Sequence, residues 1–147
     1  MAFSRYYLVC LILTLALVGC SGAPAIDAGV IVSGKVVNGG QPIAVANRQN
    51  GVGKLQVELI PILGTNDKRD RDSTGAKEDG SFEFLYAGKG VKPGKYKLVV
   101  LALDEPMKDS LNGTFNEANS PIEVDIPADK LNGKFSLGTI DLEKYKK

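Results

Sequence analysis

Asp79-Gly80-Ser81-Phe82-Glu83-Phe84-Leu85-Tyr86 is the stretch that decides the fold class. Asp-Gly is a two-residue turn signal, because both positions accept the positive φ that a tight hairpin needs. Beyond it, Phe82, Phe84 and Tyr86 share one face, with Ser81 and Glu83 on the other. That period of two belongs to a strand with one side in a core. Residues 73–77, just before the turn, read as its short partner, so the spacing predicts a β-hairpin.

Working towards the C-terminus, residues 87–94 form a Gly-Lys-Pro loop, and 95–103 are the most apolar strand, expected to be central. Residues 104–120 are a long polar connection. In 121–126 the alternation resumes, with Ile122, Val124 and Ile126 inward. Residues 127–133 are a turn with room for one helical turn at 129–131; 134–142 are the last strand and 143–147 a charged tail. Towards the N-terminus, 65–72 are a charged loop. Residues 54–63 are a strand with Leu55, Val57 and Leu59 inward, and Pro61, which lacks an N–H, places its far end at an edge or bulge. Residues 41–53 are a polar loop, 38–41 a turn, and 30–37 the first strand. No segment carries a sustained helical period. Seven short strands separated by turn signals predict a seven-stranded all-β sandwich.

One strand breaks its own rule. Phe135 and Leu137 share a face, but continued alternation would send Thr139 and Asp141 after them and leave Ile140 and Leu142 in water. An unpaired buried carboxylate is very costly. One extra residue at Gly138 or Thr139 restores the phase, since a one-residue slip swaps every later side chain between faces. A β-bulge or strand break is therefore expected there. Phe135, Leu137, Ile140 and Leu142 should then be mostly buried and Asp141 exposed.

The N-terminus reads as a leader. Arg5 precedes an apolar run, 6–18, too short to span a bilayer, which takes about 20 residues, and of the length of a secretory core, about 7–15. It ends in Leu17-Val18-Gly19-Cys20-Ser21, which resembles the lipobox of bacterial lipoproteins. The resemblance implies cleavage after Gly19, diacylglycerol on the Cys20 sulfur and often a third acyl chain on the new amine. Two or more chains suffice for stable attachment. The alternative is an ordinary signal peptide cut at Gly19 or Ala23. Ser21, where an Asp commonly retains such proteins at the inner membrane, favours the outer membrane. The domain plan is thus a signal peptide at 1–19, a lipidated Cys20 with a short tether at 20–29, a β-sandwich at 30–143 and a tail at 144–147.

Composition limits the chemistry. Without residues 1–19 the 147-residue chain keeps 128, and loses Arg5 from its 18 basic residues, leaving 17 against 17 acidic. No basic excess favours nucleic acid. There is no His, and the only cysteines are Cys10 and Cys20. The domain therefore has no disulfide, no Cys/His zinc site and no means to build Ser-His-Asp or Cys-His machinery. No cofactor and no catalytic residue is expected.

Several segments match a known pattern: Val32-Ser-Gly-Lys-Val-Val37, Gln41-Pro-Ile43, Val57-Glu-Leu-Ile-Pro61, Asp79-Gly-Ser-Phe-Glu-Phe84, Pro93-Gly-Lys-Tyr-Lys-Leu-Val-Val100 and Ser120-Pro-Ile-Glu-Val124. Together, across residues 30–142, they resemble the carboxypeptidase regulatory-like domains, most closely the single-domain lipoproteins of this type in planctomycetes. The resemblance implies a transthyretin-like, Ig-like sandwich and an accessory, adhesive or ligand-binding role without a common catalytic residue. Residues 44–53 interrupt the family pattern as an insertion.

Other constellations compete with a plain solvated surface. Asp67, Asp70, Asp72 and Asp79 suggest calcium, but the loop from Asp70 would place Ser81 at the twelfth position, where a bidentate Glu is required, and Lys68, Arg69 and Arg71 interleave. Paired carboxylates for glycoside hydrolysis need a cleft, and no acid sits in an apolar context by sequence. Asn112-Gly-Thr114 matches a glycosylation sequon but reads better as a turn. Lys89, Lys92, Lys95 and Lys97 read as a solvated strand edge, with an acidic glycan the alternative. The expectation is a non-enzymatic cell-envelope module, held to the membrane by its lipid and contacting an envelope protein or glycan. The alternative is a carbohydrate-binding or adhesive domain using the 41–53 and 104–120 loops.

Overall fold

A computed structural model describes residues 29–62, 69–85, 90–105 and 108–146. The described residues form nine strands: β1 (Ile31–Asn38), β2 (Gln41–Pro42), β3 (Lys54–Pro61), β4 (Asp72–Ala76), β5 (Ser81–Phe84), β6 (Gly94–Glu105), β7 (Lys108–Asp109), β8 (Glu123–Ile126) and β9 (Lys134–Asp141). They make a four-stranded sheet, in which β1 pairs β2, β5 and β9, and a five-stranded sheet ordered β4-β3-β6 with β7 and β8 both on β6. The fold is an all-β sandwich. The count exceeds the expected seven because β2 and β7 have two residues each, too few to show any alternation.

One core joins the sheets. Val32 and Val36 of β1, Phe82 and Phe84 of β5 and Ile140 of β9 face Leu55, Val57 and Leu59 of β3 and Tyr96, Leu98, Val100 and Ala102 of β6. Leu55, Val57, Leu59, Phe82, Phe84 and Ile140 are among the residues that alternation was expected to turn inward. Each buried Val, Leu, Ile or Phe is worth roughly 1.5–3 kcal/mol against exposure. The Tyr96 hydroxyl, buried with its ring, donates to the Lys92 carbonyl at 2.7 Å.

β6 is central, as its composition predicts. Residues 110–122 cover the part of its outer edge that β7 and β8 leave open. Ser110 N donates to Ala102 O, Val100 N to Phe115 O and Leu98 N to Ile122 O. The polar connection is thus an edge cover, pinned by a fully buried Phe115. β3 runs past β4, whose pairing stops at Leu59 and Asp72, so among the described residues no strand pairs with Pro61 on that side.

The bulge falls where the broken alternation placed it. In the parallel β1–β9 ladder Ser33 pairs with Ser136 and Lys35 with Thr139, leaving Leu137 and Gly138 both opposite Gly34. Gly138 has φ +69°. Ile140 and Leu142 are buried, and Phe135 and Leu137 are partly buried against the core. Asp141 departs from expectation, being only partly exposed. Its Oδ1 accepts from Gly39 N at 2.7 Å and Glu143 N at 3.1 Å, and its Oδ2 from Gly40 N at 3.0 Å. The expected charged tail instead begins as a 3₁₀ turn, Leu142–Tyr145, packed against β1.

Strand directions define two ends. The chain enters where β1, β6 and β9 begin and β3, β5 and β8 end. Val30 exchanges two hydrogen bonds with Val91, Ile31 N donates to Gly133 O, and Asn132 N donates to Gly29 O. The entering segment is therefore clasped on both sides. The opposite end carries the 39–40 turn, residues 43–53 and the turn at 77–80.

Candidate functional site

A recess of about 570 Å³ lies along the outer face of the four-stranded sheet and its junction with β4. Outward-pointing Ser33 and Lys35 of β1 lie opposite Glu83 and Ser81 of β5 on one side, and Ser136 and Thr139 of β9 on the other. Thr74 closes the junction by donating from Oγ1 to Glu83 O at 3.0 Å. The backbone at Gly34 and the bulge at Gly138 form part of its floor. The result is a hydroxyl-lined, open groove with Lys35, Lys77 and Glu83 among its walls. Its chemistry suits several hydrogen bonds to a neutral polar ligand.

The second recess, about 400 Å³, is built by the insertion and faces away from the chain entry; Val45, Asn47, Arg48, Gln49, Asn50 and Glu78 line it. Asn47 holds the loop in shape with a left-handed backbone, φ 58°, and its carbonyl accepts from the N–H groups of Asn50, Val52 and Gly53. A β-carbon at Gly53 would lie 1.9 Å from Ala46 O, so only glycine fits that return. Two further ties dock the loop on the sandwich: Ala46 N donates to Asp104 Oδ1 at 2.7 Å, and the Arg48 guanidinium donates to Ala76 O. The insertion is therefore a fixed platform presenting amides, beside the Glu78 carboxylate of the 77–80 turn.

The 41–53 and 104–120 loops meet at that Asp104 contact. The rest of the second loop turns back along β6, where Asn112, Thr114, Asn119, Pro121 and Tyr145 line a separate recess of about 350 Å³. Asn112 has φ 53° and its N–H donates to Asp109 O, the turn role read from Asn-Gly.

The residues singled out by sequence scatter. Cys20, Asp67, Lys68, Tyr86 and Lys89 lie outside the described residues. Asp79 caps its own turn: the Ser81 hydroxyl donates to Oδ1 at 2.7 Å and Ser81 N at 3.0 Å. Those bonds, with Lys35 and Lys77 nearby, hold its carboxyl below the usual range against a small opposing desolvation. Asp70 is exposed. Asp72 is a correction, since the sequence suggested no acid in an apolar setting. It lies opposite Leu59 in the β3–β4 ladder and is buried. Burial first, and the Asp70 charge second, push its carboxyl above the usual range.

The other buried acid, Glu58, pairs with Ser73, one register step away and so on the opposite face of the sheet. It accepts from Gln56 Nε2 at 2.6 Å and lies 3.6 Å from Arg71 Nη1. Asp72 and Glu58 therefore cannot flank one substrate. Lys92 and Lys95 are exposed near the chain entry, whereas Lys97 Nζ donates to Glu117 O at 3.0 Å. Sequence reasoning missed the hydroxyl groove, which depends on which outward residues three strands bring side by side.

Compared with known proteins, the chain matches no family model, no curated protein and no solved structure.

Proposed function

We propose that this chain is a non-enzymatic lipoprotein of the bacterial cell envelope, anchored through acylated Cys20, whose sandwich is a binding or structural module. On this reading it is related to the carboxypeptidase regulatory-like domains and faces the periplasm or cell surface, with the outer membrane favoured. The observation that carries it is the coincidence of Arg5, an apolar run and Leu17-Val18-Gly19-Cys20 at lipoprotein spacing. The domain geometry agrees with that arrangement. The chain enters at one end of the sandwich, and the docked insertion projects from the other, facing away from an anchored membrane. Replacing Cys20→Ala tests it: the protein should leave the membrane fraction or accumulate as precursor. The intact mass of the wild-type membrane form should be that of a chain starting at Cys20 plus acyl groups. A soluble mature chain starting elsewhere refutes the anchor.

A second reading, a carbohydrate-binding or adhesive surface domain, draws support from the amide-lined platform of Asn47, Gln49 and Asn50. Retention of the protein on purified envelope glycan, lost on replacing these three with Ala, would support it.

A further inference from the structure

The end of the sandwich where the chain enters carries an uneven share of exposed apolar side chains. Among the described residues the large hydrophobic side chains most open to solvent are Val52, Ile62, Leu85, Leu131 and Tyr145. Three of these five lie at the entry end. Ile62 (39% exposed) follows β3, Leu85 (50%) follows β5, and Leu131 (44%) precedes β9. They come from both sheets, whose mean planes in such sandwiches lie about 10 Å apart, so they are spread across the whole end. Exposed Lys92, Lys95 and Lys134 stand at the same end, and the nearby Asp129 carboxylate is 3.6 Å from Lys130 Nζ. Single exposed apolar residues are ordinary; their position relative to the chain's first residues is what gives these three a meaning.

Nine residues, 21–29, separate Cys20 from Val30. Fully extended they span about 30 Å at most, at about 3.3–3.6 Å per residue. The clasp on Gly29, Val30 and Ile31 fixes where that length starts on the domain. With Cys20 held in the bilayer, the entry end is the part of the domain kept nearest the lipid headgroups. Apolar side chains there can leave water for the interface while long lysines reach the phosphates.

From this we propose that Ile62, Leu85 and Leu131, with the neighbouring lysines, form a docking surface for the phospholipid bilayer that holds the anchor. The sandwich then stands on the membrane with the insertion outermost, instead of swinging on a free tether. The proposal rests on the anchor reading. Its test uses the fact that acylated Cys20 is the mature chain's only cysteine, so an introduced cysteine is the one free thiol. Leu85→Cys, Leu131→Cys and, at the far end, Val52→Cys (49% exposed in the wild type) each receive a fluorophore. The acylated full-length mature proteins are then placed in phosphatidylethanolamine–phosphatidylglycerol vesicles. Iodide should quench labels at 85 and 131 several-fold less than the label at 52, and the difference should vanish in detergent-free unacylated protein. Equal quenching at all three sites in membrane-bound acylated protein overturns the docking and leaves the anchor standing. A chain that is not acylated overturns both.

Discussion

Gly34→Ala should destabilise the domain even though its backbone lies in a β-strand where alanine is normally the better residue. Gly34 sits in mid-β1 between β5 and β9 and faces inward. A β-carbon built there would lie 2.6 Å from Phe82 Cζ, 3.1 Å from Cε1 and 3.3 Å from Cε2. Carbon atoms prefer about 3.5–4.0 Å, so the ring must retreat by about 1 Å. It is buried and meets Phe84 edge-on, with centroids 5.6 Å apart and planes at 75°. Overpacking of this kind costs about 1–3 kcal/mol. Removing a strand glycine returns about 0.5–1 kcal/mol of backbone entropy. The net loss expected is therefore about 1–2 kcal/mol, read as a lower urea midpoint at unchanged m-value. Shortening the ring isolates the cause. In a Phe82→Leu background the crowding is gone, and Gly34→Ala should become neutral or mildly stabilising. The two changes should thus couple by roughly 1 kcal/mol or more. An equal loss in both backgrounds, or a stabilised Gly34→Ala single variant, would refute the argument.

Two other glycines should behave unlike each other. At Gly80, φ is +86° and a β-carbon would meet Val36 O at 2.1 Å, so Gly80→Ala should cost more than about 3 kcal/mol by combining backbone strain with a broken ladder. Gly138→Ala, at φ +69° with nothing within 4 Å, should cost only about 1–2 kcal/mol; urea midpoints rank them. The acids set the pH dependence. Asp72's carboxyl is raised, so folding favours its protonated form; stability should fall as pH rises from the usual carboxylate range through the raised pKa, and Asp72→Asn should flatten that fall. Asp141 behaves oppositely: partial desolvation pushes its carboxyl up but is outweighed by the N–H groups of Glu143, Gly39 and Gly40 and by Lys144. Its contribution, present above the usual carboxylate range, should disappear as pH falls through the lowered pKa, and Asp141→Asn should lessen acid loss in urea melts across pH.

Where alternation was regular, the sequence was a sufficient guide. Leu55, Val57 and Leu59, and Phe82 and Phe84, are buried as their spacing requires, and even the fault in the last strand located its own bulge at Gly138. What escaped was set by pairing between distant segments. Asp72 looks solvated among Asp70, Arg71 and Ser73, and becomes buried because its register partner is Leu59. Phe115 is one aromatic in a polar stretch, with no periodicity to show that it seals the edge of β6. The hydroxyl groove gathers Ser33, Ser81, Ser136 and Thr139 from three strands, each unremarkable in its own segment. The leader is the reverse case: Arg5 to Cys20 is legible as a motif, and the described residues do not include it.

The parallel pairing of β1 with β9 joins the first strand of the domain to the last. One of its ends receives the chain from residue 29; the other releases it at Leu142, on the far side of the molecule. Tension between a fixed N-terminal side and a partner gripping the C-terminal turn therefore pulls the two strands past each other along their length. The ladder bonds are loaded in shear and together, and cannot be opened one at a time like a zip. Resistance to pulling is governed by the barrier to unfolding and not by equilibrium stability. A domain of ordinary thermodynamic stability can accordingly serve as a stiff mechanical link when stretched along this axis.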